Sequence, residues 1–162
     1  MQLRLFTLMM ILVTAVLMVT ACKKEDDDNG DDDGDASEEK ISMHNGKESH
    51  NAGKNCMTCH VSGGSGEGWF VAAGTVYDKQ QANVYPNATV KLYDAPNGGG
   101  NLVATIEVDA YGNFYTTKDI NYGSGLYPAV QGGSTTQYMG SMITKGACNS
   151  CHGVTTSKIW TE

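Results

Sequence analysis

The run ATVKLYDAPNGGGNLVATIEVDAYGNFYTT, Ala88 to Thr117, decides the fold. In Thr89-Val90-Lys91-Leu92-Tyr93, and again in Thr105-Ile106-Glu107-Val108, every second side chain is apolar. Side chains alternate between faces along a strand, so this period of two marks strands with one buried face. Between and after them, PNGGG (96–100) offers residues that accept positive φ, and DAYGN (109–113) sets Gly112 in a tight connection between strands.

Working outward, WFVAAGTVYD (69–78) is a further strand-like run upstream. LYPAVQG (126–132) and QYMGSMI (137–143) read as the last strands, with Pro128 favouring an edge because it has no N–H for a ladder. Short runs rich in Val, Tyr, Phe and Thr, broken by Gly, Asn, Asp and Pro, predict a mainly β fold. The expectation is a small β-sandwich at about residues 69–143, flanked by irregular or short-helical segments. Gly74-Thr75-Val76, Ala88 to Leu92, and Asp109-Ala110-Tyr111-Gly112-Asn113-Phe114 together resemble the carboxypeptidase regulatory-like or transthyretin-like sandwich over residues 72–131. That resemblance implies fold and little of function, since such sandwiches serve mostly as adhesive or scaffold modules.

The chain before the sandwich has a different character. Arg4 and the apolar run LFTLMMILVTAVLMV, ending VTA before Cys22, read as a secretory signal over 1–21. The run is too short and wrongly flanked for a stable membrane span. VTAC resembles the lipobox of bacterial lipoproteins, which implies lipidation of Cys22 and anchoring through it. Residues 22–40 hold ten acids and three lysines, against eight acids and seven lysines in 41–162, so nearly all of the net charge of −7 lies in one tract. A self-repelling run of this kind buries nothing and is expected to be a disordered tether. Its start, CKKEDDD, resembles the acidic export signal of Bacteroidota surface lipoproteins, implying the outer membrane, with the cell surface or the periplasmic face as the two placements. No basic patch is present, which argues against a nucleic-acid partner.

With Cys22 assigned to lipid, the other four cysteines form two pairs, Cys56/Cys59 and Cys148/Cys151, each followed directly by a histidine, His60 and His152. CMTCH and CNSCH resemble the CxxCH sites of c-type cytochromes. The resemblance implies two covalent haem c groups with their iron. Cys56, Cys59, Cys148 and Cys151 would be the thioethers, with His60 and His152 as proximal ligands. The remaining histidines, His44 and His50, bring the imidazole count to four, matching two bis-histidine irons. Met43, Met139 and Met142 are competing sixth ligands, though methionine more often packs. The sequence does not pair the distal histidines with irons: His50 can fold back towards His60 or cross to the second site. Trp69, Phe70 and the tyrosines read as sandwich core and haem packing.

The expected function is membrane-anchored electron transfer, with redox partner proteins or extracellular acceptors as partners. An enzymatic role such as peroxide reduction would need an open iron position, which bis-histidine ligation removes. The alternative is a non-redox surface module whose CxxC pairs hold a structural zinc or form disulfides, but neither requires a histidine after each pair. A third arrangement gives His44 to the iron of a neighbouring copy and makes an oligomer or filament.

Overall fold

The computed structural model describes residues 39–162; the signal segment 1–21, the lipidation position Cys22 and the acidic tract as far as residue 38 lie outside the described residues. Eight strands follow in order: β1 Ala72–Tyr77, β2 Thr89–Tyr93, β3 Leu102–Glu107, β4 Asn113–Thr116, β5 Tyr127–Gln131, β6 Thr136–Tyr138, β7 Gly146–Ala147 and β8 Ile159–Trp160. Helical structure among the described residues is confined to single 3₁₀ turns at Cys56–Thr58, Pro96–Gly98 and Cys148–Ser150. No helix there is long and apolar enough to cross a membrane.

The strands form two sheets, β3-β2-β5-β6 in antiparallel order and β4-β1-β7, with β8 also pairing β1. The alternation read in β2 is realised: Val90 and Leu92 are buried while Thr89, Lys91 and Tyr93 are half-exposed. Val76 and Phe114 from one sheet meet Val90, Leu92, Ile106 and Val130 from the other in one core. This is the small mainly β sandwich expected. It continues past residue 143, because β7 and β8 run parallel to β1 at Ala72–Ala73 and Val76–Tyr77.

Pro128 differs from the expectation, since β5 lies inside its sheet between β2 and β6. The carbonyl of Pro128 accepts from Met139 N, so its nitrogen also points to the β6 side. There β6 has already ended at Tyr138 and no ladder bond is lost. Trp69 departs from the core reading as well, being 54% exposed.

Lys40, which the charge pattern assigns to the tether, is docked: its N–H donates to Thr117 Oγ1 and its carbonyl accepts from Thr117 N, both at 2.9 Å. Two residues on, Ser42 Oγ donates to the Glu107 carbonyl at 2.6 Å while Ser42 N donates to Tyr115 O, so the entering segment joins β3 to β4.

Phe114 is 1% exposed at the centre of this core. Phe114→Ala is expected to lower unfolding free energy by roughly 3–5 kcal/mol. Leu102→Ala, on a half-exposed side chain, should change it by less than about 0.5 kcal/mol in the same urea titration.

Candidate functional site

The two cysteine motifs, far apart in sequence, adopt one local structure. Each begins with a 3₁₀ turn, and in each the first cysteine's carbonyl accepts from the second cysteine's N–H and from the histidine's N–H: 3.1 and 3.0 Å at Cys56, 3.2 and 3.0 Å at Cys148. The second cysteines have nearly the same backbone, φ −110° and ψ −37° at Cys59 against φ −116° and ψ −49° at Cys151. One helical turn brings the backbone positions i, i+3 and i+4 to one side of each motif.

The imidazoles are fixed alike. His60 Nδ1 lies 2.7 Å from the Glu67 carbonyl, and His152 Nδ1 lies 2.7 Å from the Ser157 carbonyl. A carbonyl only accepts, so Nδ1 carries the proton in both rings and Nε2 keeps its lone pair. This is the tautomer a metal ligand needs, held by an outer partner.

Around His60 the Gly/Ser segment, read in sequence as a flexible turn, wraps the ring. Gly66 N donates to the Cys59 carbonyl, and a Cβ at Gly66 would come within 2.8 Å of the imidazole. Phe70 stacks on the ring at 4.1 Å, and Tyr115 stacks on Phe70 at 4.9 Å. Phe70 therefore packs the histidine and not the space between the sheets. His50 is exposed, with its ring centroid 5.9 Å from that of His60. Two imidazoles bound on opposite sides of one metal, with metal–nitrogen bonds of about 2 Å, stand about 6 Å apart by centroid.

His44 is placed elsewhere. Its Nε2 donates to the Ala88 carbonyl at 3.0 Å and its Nδ1 lies 3.9 Å from Glu107 Oε2, so the leader histidine is tied to the sandwich at β2 and β3. Ligation through Nε2 would require that bond to break. Met43 is 61% exposed, and its carbonyl accepts from Gly46 N.

The two motifs meet on β1. Thr75 N donates to Asn149 Oδ1 at 3.2 Å, and Asn149 Nδ2 donates to Thr75 Oγ1 at 3.0 Å and to the Lys54 carbonyl at 2.9 Å. Thr75 Oγ1 also accepts from Gly53 N at 2.8 Å and donates to Asn113 Oδ1 at 2.7 Å. Asn149 lies inside CNSCH, and Lys54 lies just before CMTCH. Neither Asn149 nor Thr75 had a signal in the sequence beyond being polar in an apolar run.

At the second motif Cys148, Cys151 and His152 line one cavity of about 440 Å³, whose other walls include Met139, Met142 and Trp160. The cavity reaches inward to Leu92 and Phe114 of the core. Cys56, Cys148 and Cys151 are free thiols, whereas Cys59 is disulfide-bonded and would have to be reduced before any addition to it. Burial pushes the Cys148 thiol up to about 12, with a smaller push from neighbouring Cys56. Among the described residues no three His, Cys, Asp or Glu side chains converge as a metal site. A tetrahedral zinc needs such convergence, whereas a haem brings four of its iron's ligands and asks the chain for at most two.

Compared with protein-family models, curated proteins and solved structures, the chain matches none.

Asn149→Ala leaves Thr75 N–H and the Lys54 carbonyl without this partner, and is expected to lower stability by roughly 1–3 kcal/mol in denaturant titrations. The thiolate is the reactive form of cysteine. Iodoacetamide at about pH 8 should therefore label exposed Cys151 and spare Cys148 in the folded chain free of cofactor, as read by peptide mass spectrometry.

Proposed function

We propose that the protein is an exported, lipid-anchored dihaem c-type cytochrome that transfers electrons. The observation that carries this reading is the repeated geometry: two CxxCH turns with matching backbone bonds, each histidine held through Nδ1 by a backbone carbonyl at 2.7 Å with Nε2 left to ligate. Bound covalently, each haem would supply an iron centre that cycles between Fe(III) and Fe(II).

The chain's own part is to attach, orient and shield. Cys56 and Cys59, then Cys148 and Cys151, are the attachment points, and His60 and His152 the proximal ligands. Gly66 and Phe70 restrain the first imidazole from two sides, and Ser157 holds the second. The apolar cavity beside Cys148 excludes water from one face of the second group. Asn149, inside the second motif, donates to the carbonyl of Lys54, just before the first, at 2.9 Å, so the two attachment segments are neighbours and two haems held there would have a short path between them. His50, 5.9 Å from His60, suits the sixth position at the first iron.

A lipid on Cys22 and the acidic run after it would hold this domain at the outer membrane, facing redox partner proteins or extracellular acceptors. Disulfides at the CxxC pairs would leave the two carbonyl-fixed histidines unexplained.

Expression with a c-type maturation system should yield a red protein whose mass exceeds that of the chain by two haems. Cys56→Ser/Cys59→Ser and Cys148→Ser/Cys151→Ser should each retain one. A colourless product containing zinc would overturn the reading.

A further inference from the structure

We infer, resting on the dihaem reading, that the Met142 thioether is the sixth ligand at the second site, so that the two irons are unlike: His60 with His50 at one, His152 with Met142 at the other. The argument starts from what lines the second cavity. Its histidine is His152; neither His44 nor His50 is on its wall. His44 is bonded through Nε2 to the Ala88 carbonyl, and His50 stands beside His60. A second imidazole from this chain is not at hand there.

The other donors on the wall are two lysines, two tyrosines, the attachment thiols, two methionines and the side-chain oxygens of Gln137, Thr144, Ser150 and Ser157, which are harder donors than a thioether. Lys158 Nζ donates to the Gln81 carbonyl at 2.9 Å and lies over the Tyr77 ring at 4.1 Å. An ammonium has no lone pair to offer iron. Tyr122 donates its O–H to the Val71 carbonyl, and Tyr138 is turned against Gly98. A thioether carries no proton to lose and is a soft, flexible donor suited to haem iron.

Of the two methionines, Met139 is held at its amide by the Pro128 carbonyl and is half-buried. Met142 is 55% exposed, an apolar side chain left in solvent at the mouth of an apolar cavity. Its neighbour Ile143 is fixed by paired bonds to Leu126, 2.9 and 2.8 Å. Its sulfur lies against Gly125, where an added Cβ would approach to 2.6 Å and the flexible thioether would have to shift. Met142 is thus a thioether carried beside an anchored backbone position, on the wall of the same cavity that His152 lines.

The consequence is directional. Histidine/methionine ligation raises the reduction potential relative to two imidazoles, so the second iron would be the electron sink and the first the donor to it.

The test uses the full mature protein loaded with haem, in wild-type, Met142→Leu, Met139→Leu and His50→Ala forms. Wild type should show two separated potentiometric waves and the long-wavelength thioether-to-Fe(III) charge-transfer band. Met142→Leu should keep two haems per chain, lose that band and lower only the high-potential wave. Met139→Leu should change neither, and His50→Ala should alter only the low-potential wave. Two haems with spectra and waves unchanged in Met142→Leu, or a band lost in Met139→Leu, would overturn the assignment alone. A chain that attaches no haem overturns the assignment together with the reading beneath it.

Discussion

The hydroxyl of Thr75 is the point on which the arrangement depends. It donates one hydrogen bond and accepts two, which is all that a hydroxyl can do, and its partners come from three separate stretches of chain: Gly53, Asn113 and Asn149. Thr75 is 1% exposed and Asn149 and Asn113 are 3% exposed, so the bonds among these three are shielded from water, and the Gly53 bond is partly buried. Buried polar groups lose heavily when unpaired, so the network tolerates few alternative positions for the segments that it joins. It also reaches outward, because Asn113 Nδ2 donates to Ser49 Oγ beside His50. One strand residue thereby sets the lead-in to the first motif, the body of the second and the neighbourhood of a distal histidine.

Backbone carbonyls hold the imidazoles of His60 and His152 alike, and on the dihaem proposal that choice has electronic weight. A neutral carbonyl fixes the tautomer without placing a full negative charge behind the ring, as a carboxylate would. The difference between the two sites must then arise from the opposite side of each ring. One histidine is packed between a glycine backbone and Phe70, while the other faces a cavity that opens into the sandwich interior. Two copies of one motif can therefore hold inequivalent centres, since the motif specifies attachment and the surrounding fold specifies the rest.

The strands were legible because each of β1 to β6 carries several residues of alternating or β-branched sequence between turn formers. β7 and β8, two residues each, carry no period at all and exist only because β1 offers a free edge to pair. The repeated CxxCH spacing was visible in the sequence, but the groups that hold its two histidines were not. Glu67 and Ser157 act through carbonyls that every residue possesses, and Gly66 acts by lacking a side chain. Only the glycine richness of CHVSGGSGEG hinted that backbone must approach something closely. A count of four histidines likewise cannot say which nitrogens are already bonded, as His44 Nε2 is to the Ala88 carbonyl.

The second cavity would also couple folding to attachment of the proposed haem. Its inner wall includes Leu92 and Phe114, which belong to the sandwich core, and its outer wall includes Met142 and Trp160 from opposite sides of the second motif. A rigid apolar group seated there would complete a core that the chain alone leaves open and would bind the native state in preference to the unfolded chain. The sandwich is then more than a spacer between two motifs. Its hydrophobic core and the second cavity share walls, so the side chains that stabilise the β fold would also set the apolar surroundings of a haem held there, and with them its potential.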